Sequence, residues 1–277
     1  MTNKINTILI TGCSTGIGYS TAKFLQQRGF RVIASARKAE DVVRLSDEGF
    51  EAVQLDLANS ASIQQAVTQV LQMTEGKLDA LFNNGAFGQP GAVEDLSRDV
   101  LREQFETNLF GTHELTNLII PVMRKQGYGR IIYNSSVLGF VAMKYRGAYN
   151  ASKFALEGLV DTLRLELKNT NIHLSLVEPG PIASQFRKNS FALYQKNINS
   201  QQSFHKETYQ NMEARLQKEG AAVPFTLPAE AVAEKVLHAL QSHRPKLRYY
   251  VTLPTYVFGF LKRILPARWL DFIAGQV

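Results

Sequence analysis

The sequence predicts an α/β fold: a single doubly wound parallel β-sheet with helices on both faces. Three observations predict it. Short apolar, β-branched runs alternate with helix-periodic segments along most of the chain. The first run enters a glycine-rich turn that opens a helix. No linker or internal repeat divides the 277 residues, so one domain spanning 1–277 is expected.

The elements follow in order. Thr7 to Thr11 is apolar and β-branched, as a strand buried on both faces requires. It runs into Gly12-Cys13-Ser14-Thr15-Gly16-Ile17-Gly18, and a helical pattern from Ile17 to Arg28 stops at Gly29. Arg31 to Ala36 completes the first β-α-β unit. Strands are expected at Ala52–Leu57, Leu78–Asn83, Arg130–Ser135, Ile172–Val177 and Arg248–Thr252. Helices are expected at Ser60–Met73, Ala148–Thr170 and Pro228–Gln241, and Arg98–Gln126 carries one long helix or two abutting ones. Two regions break the rhythm. Residues 181–223 form a long insertion at a strand's carboxyl end, where lids over sites are found. The tail at 253–277 is the second.

Composition excludes several classes. Hydrophobic residues at 45% supply a sizeable core and rule out a disordered chain. Cys13 stands alone, so no intrachain disulfide forms and a reducing, cytoplasmic setting is expected. The histidines at 113, 173, 205, 238 and 243 lack ligand spacing, so no metal is expected. Met1–Thr7 contains no apolar signal segment, which argues against secretion. The net charge of +7 is concentrated late in the chain: Arg244, Lys246, Arg248, Lys262, Arg263 and Arg268 occur between Gln241 and Leu270 without an acid. The remainder is nearly neutral, which argues against a nucleic-acid face.

Three stretches carry chemistry. Glycines at 12, 16 and 18 allow close backbone approach, and the following helix start offers N–H groups and positive dipole, a cradle for pyrophosphate. The spacing differs from the usual G-x-G-x-x-G. Ser14 and Thr15 add hydroxyls. At the end of the second strand stand Ala36 and Arg37, followed by Lys38, with no carboxylate to repel a 2′-phosphate; this points to NADP rather than NAD. In Tyr149-Asn150-Ala151-Ser152-Lys153 a phenol and an ammonium lie one helical turn apart. The ammonium favours the phenolate, lowering a pKa that is ordinarily about 10, so the pair can exchange a proton with a substrate oxygen.

Thr11-Gly12-x-x-x-Gly16-x-Gly18, Asn83-Asn84-Gly85-Ala86, Asn108, Ser136, Tyr149-x-x-x-Lys153 and Pro179-Gly180 occur in that order. Together they resemble the Rossmann-like short-chain dehydrogenase/reductase family over residues 5–252. Around Thr11–Gly18 and Tyr149–Gly158 the chain is similar to the subgroup of 17β-hydroxysteroid dehydrogenases, retinol dehydrogenases and bacterial NADP-dependent aldehyde reductases. The resemblance implies an NADP(H)-dependent enzyme interconverting a carbonyl and its alcohol. Tyr149 would be the acid/base, and Lys153 would lower its pKa and hold the nicotinamide ribose. Ser136 would bond the substrate carbonyl; the Ser-Val-Leu-Gly phase favours it over adjacent Ser135. Asn108 would hold a proton-relay water. Gly12, Ser14, Thr15, Gly16, Ile17, Gly18 and Arg37 would bind the cofactor's phosphates, Asp56 and Leu57 its adenine, and Asn83 and Gly85 its flank. Pro179, Gly180, Ile182 and Ser184 would cover the nicotinamide. A homo-oligomer, dimer or tetramer, through the long helices is also implied. Two departures stand out: the family's Asn-Asn-Ala-Gly reads Asn-Asn-Gly-Ala at 83–86, and Ser184 replaces a threonine.

Phe87, Val137, Leu138, Phe140, Val141 and Met143 predict an apolar pocket and hence a hydrophobic aldehyde or ketone. A hydroxysteroid or retinol substrate is an alternative, as is a non-catalytic NADP-binding, membrane-docked regulator. The intact Asn108, Ser136, Tyr149 and Lys153 set argues against the regulator. Tyr249 to Leu261 is uncharged, but its thirteen residues fall short of the roughly twenty that span a bilayer. The bases and aromatics of Lys262–Leu270 suit packing on the domain, a partner subunit, or an interfacial anchor on anionic lipid.

Overall fold

In the computed structural model the strands are β1 (Thr7–Ile10), β2 (Arg31–Ala36), β3 (Glu51–Gln54), β4 (Ala80–Asn83), β5 (Gly129–Asn134), β6 (Ile172–Glu178) and β7 (Arg248–Tyr250). All pair in parallel as one sheet, in the order β3-β2-β1-β4-β5-β6-β7. The structure describes residues 5–218, 220–221 and 223–275. Met1–Lys4, two positions of the 181–223 insertion (219 and 222) and the last two tail residues lie outside them.

Side chains alternate across each strand, and here both faces are buried. Leu9, Ile33, Val53 and Leu81 face one core, covered by α3 (Ser60–Met73), α5 (Thr112–Gln126) and α6 (Gly147–Glu166). Ile8, Ile10, Ala34 and Phe82 face the other, covered by α1 (Gly16–Gln26), α2 (Ala39–Asp47) and α9 (Glu230–Gln241).

The 98–126 stretch is two helices, α4 (Arg98–Phe105) and α5, joined by a π-helical turn at Glu106–Gly111. The 181–223 insertion holds α7 (Phe186–Asn197) and α8 (Lys206–Gln217). The tail is also helical, as α10 (Leu253–Ile264) and α11 (Ala267–Ala274). Pro254 stands in the first turn of α10, where a missing N–H is harmless, so it starts a helix rather than breaking one.

Candidate active site

A parallel sheet sets the carboxyl ends of its strands along one edge, and ligands bind where strand order reverses, here between β1 and β4. The loop leaving β1 lies at that point. Gly12 (φ 72°) and Gly16 (φ 63°) take left-handed backbone conformations. A Cβ on Gly18 would fall 2.2 Å from the Gly12 carbonyl oxygen, so α1 begins tightly against the loop. Thr15 caps α1 without a side-chain hydrogen bond, and the first turn carries no acid. Its leading N–H groups and positive dipole end are suited to an anion. Ile17 packs into the core below. Arg44 Nη2 donates to the Ser14 carbonyl at 2.7 Å, tying the loop to α2.

Gly85 explains the inverted Asn-Asn-Gly-Ala order. A Cβ on Gly12 would meet Gly85 Cα at 2.8 Å, and one on Gly85 would meet Leu57 Cδ1 at 3.0 Å. Thr11 Oγ1 accepts the N–H groups of Asn84 and Gly85 at 2.9 and 2.8 Å. The smallest residue thus stands at the tightest point, between the loop and Leu57. Ser184 reaches the same loop: a Cβ on Gly16 would lie 3.3 Å from Ser184 Cβ. Asp56 Oδ1 accepts the Ala58 N–H at 3.0 Å. Arg37 is exposed at the end of β2; Lys38 is paired with Glu40 at 2.9 Å, whereas no ion pair among the described residues includes Arg37. Asn83 Nδ2 donates to Thr116 Oγ1 at 3.0 Å, but Asn83 Oδ1 and Asn134 Oδ1 are buried without partners. Such atoms are rare in folded proteins and suit a bound polar molecule. These features fit a dinucleotide.

Tyr149 and Lys153 lie on α6 beside the end of β5. Lys153 Nζ donates to the Asn134 carbonyl at 2.6 Å and stands 5.7 Å from the Tyr149 ring centroid. Burial pulls the ammonium down to about 8, partly countered by Glu157. The Tyr149 hydroxyl is pushed up to about 12 by burial, against the lowering effects of the Ser136 hydroxyl and Arg146. This reverses the expected direction: desolvation of the phenolate outweighs the Arg146 charge and the Ser136 hydrogen bond, and Lys153 is directed at Asn134. Ser136 is the serine that meets Tyr149. Its Oγ accepts the Leu138 N–H at 3.1 Å and donates to Pro179 O at 3.5 Å. Ser135 Oγ is instead turned toward Gly139, on the side of Glu157.

Asn108 sits in the π-helical turn. Its Oδ1 accepts the Phe87 N–H at 3.1 Å, and its Nδ2 donates to Phe87 O and Ser152 Oγ at 2.9 and 3.1 Å. The amide braces the β4 loop against α6. The turn is set by Gly111, where a Cβ would lie 1.7 Å from Leu57 O. On the other side, Gly180 is pressed on Thr252, Ile182 bridges to Leu227, and Phe186 from α7 meets Tyr149 edge-on at 5.4 Å. Val137, Leu138 and Val141, with Phe140 and Met143, form the adjoining apolar wall, and Phe258, Leu270, Ile273 and Ala274 of the tail complete it.

A charged cluster below the site was not anticipated. Arg248 on β7 bonds Glu157, one turn after Lys153, and Glu178, at the end of β6; its Nη2 also bonds Asp161 Oδ2 at 2.6 Å. Glu178 is fully buried, and burial together with Glu157's charge holds its carboxyl well above the usual range. The spacing of Glu157 from Lys153 was the only sequence signal for it.

The sheet order and the loop at its reversal define a Rossmann-like nucleotide-binding protein. The pattern of the short chain dehydrogenase family matches residues 6–195, and the chain belongs to that family of oxidoreductases. It is 42% identical over 275 residues to "Uncharacterized oxidoreductase YbbO" of Escherichia coli (strain K12), covering 99% of this chain and 96% of that protein. It is 33% identical over 261 residues to human 17-beta-hydroxysteroid dehydrogenase type 1, covering 88% and 77%. A short chain dehydrogenase/reductase from Burkholderia phymatum, solved in complex with NAD, shares the fold with TM-score 0.77 at 24% identity, covering 97% of this chain and 94% of that one.

Proposed function

We propose that this oxidoreductase is NADP(H)-dependent and reduces a hydrophobic aldehyde or ketone to its alcohol. The observation that carries the reading is Tyr149, packed edge-on against Phe186, meeting Ser136 and standing one turn from Lys153. The cofactor would rest on Gly12, Ser14, Thr15, Gly16, Ile17 and Gly18. Asp56, Leu57, Asn83 and Gly85 would flank it, Lys153 would hold its ribose, and Pro179, Gly180, Ile182 and Ser184 would cover it. When bound, the nicotinamide supplies the hydride. Tyr149 gives its proton to the substrate oxygen, and Ser136 donates a hydrogen bond to that oxygen. The Lys153 ammonium stabilises the phenolate left behind. A hydroxyl raised to about 12 holds its proton at neutral pH, as the acid role requires. Asn108 acts by bracing Phe87 and Ser152.

Arg37 supports the choice of NADP over NAD, since the likeness to an NAD complex extends only to the fold. The apolar wall supports a hydrophobic substrate, the α7–α8 insertion a lid, and Cys13, buried and unpaired, a reducing, cytoplasmic compartment. A homo-oligomer through α5 and α6 is consistent with exposed Phe110 and Phe154 near their starts. The test is NADPH oxidation against aliphatic, aromatic, steroid and retinoid carbonyls, with Tyr149→Phe as control. Loss of turnover by at least about a hundredfold with NADPH binding intact is expected. Substantial turnover in the variant would overturn the mechanism.

A further inference from the structure

We propose that α10 and α11 form an interfacial anchor on an anionic lipid bilayer. The two faces of α10 behave differently. Thr255, Phe258 and Gly259 are buried against the domain. Leu253, Tyr256, Val257, Phe260 and Ile264 form an opposite, exposed stripe at helical spacing. Phe260 is 62% exposed, and on α11 Trp269 and Phe272, one turn apart, are 64% and 65% exposed. A helix apolar on both faces is ordinarily buried, and a clustered apolar patch of this kind marks a contact surface.

Charge identifies the occupant. Arg263 and Arg268 are exposed beside this patch, and Lys144 adjoins its far end beside Gly275; Lys262 turns back to the domain, its ammonium over the Phe140 and Phe154 rings. Asp271 is the one acid of the two helices. Bases interleaved with Trp, Phe and Tyr match the headgroup level of an anionic bilayer, where aromatic rings partition and each base adds attraction. A second copy fits less well: a two-fold interface here would set Arg263 and Arg268 near their own copies. Among the described residues no helix is long and apolar enough to cross a membrane, so the helices lie on the surface. Their inner sides contribute Phe258, Leu270 and Ile273 to the apolar wall beside Tyr149. The anchor therefore sets that wall one helix layer from the acyl region.

The full chain is mixed with phosphatidylcholine vesicles with and without phosphatidylglycerol, and binding is read by co-sedimentation. Trp269 is the only tryptophan, so its emission reports directly on the patch. Co-sedimentation and a blue shift with the anionic vesicles alone, both lost at high salt, are expected. Arg263→Gln with Arg268→Gln should weaken partitioning by about thirtyfold. Phe260→Ser with Phe272→Ser should abolish the shift while leaving the thermal melt and the mass by light scattering unchanged. Absence of binding to anionic vesicles overturns the proposal. So does a fall in solution mass in the serine variant, which would make the face an interface between copies of the chain.

Discussion

Arg248→Met tests the charged cluster that joins β6, β7 and α6. Methionine keeps the length of the side chain and removes its charge. Glu178 is fully buried and Glu157 is 6% exposed, so both carboxyls depend on the guanidinium between them, whose side chain is 30% exposed. Removing one member of a buried ion cluster costs about 3–5 kcal/mol, because the remaining charge must be buried alone or protonated. For a domain of this size each kcal/mol moves the midpoint by roughly 2–4 °C, so a fall of about 6–20 °C is expected. The loss should depend on pH. Burial and the Glu157 charge already hold Glu178 above its unfolded pKa, and losing Arg248 raises it further. A raised folded pKa contributes full stability below the unfolded value of about 4.3 and loses it as pH rises through the folded value. The deficit should therefore be small near about pH 5 and large above neutrality. Adding Glu157→Gln and Glu178→Gln should restore part of the stability, since the charges left unpaired are then gone. Melting curves by circular dichroism decide the matter. A single variant melting within about 2 °C of the parent, or a deficit that shrinks toward alkaline pH, would refute the reasoning.

Two further outcomes follow from the site. Arg37→Ala should weaken NADPH by at least about tenfold while barely changing NADH, measured by fluorescence titration; equal losses would remove Arg37 from cofactor choice. Lys153, held near 8, loses its charge as pH rises through that value. NADPH affinity should decline above it by up to about tenfold per pH unit, and Lys153→Met should bind weakly with no such bend; an unchanged alkaline limb in that variant would reassign the titration.

The site was legible where chemistry depends on local spacing. Gly12, Gly16 and Gly18 are needed because a loop meets a helix start, and Tyr149 and Lys153 share a face because a helix turns every 3.6 residues. The strands were legible because burial on both faces demands continuous apolar runs. Helix α2 was not, since only Leu45 of its nine residues is buried and the rest are mostly polar. The lid helices likewise present few apolar residues in phase: Ser190 and Tyr194 are the only buried residues of α7, and Tyr209 of α8.

Residue identity and short-range periodicity thus determined the strands, the glycine loop and the Tyr149–Lys153 pair, because each depends on residues adjacent in the chain or one turn apart. Long-range packing decided the rest. It turned the Asn108 amide to Phe87 and Ser152, placed Gly85 against Gly12, and raised the Tyr149 hydroxyl where neighbouring charge alone predicts a fall. It brought Glu157, Glu178 and Arg248 together from α6, β6 and β7. Burial and the balance of charges belong to the folded surroundings, and in a sequence those surroundings are spread over more than two hundred positions.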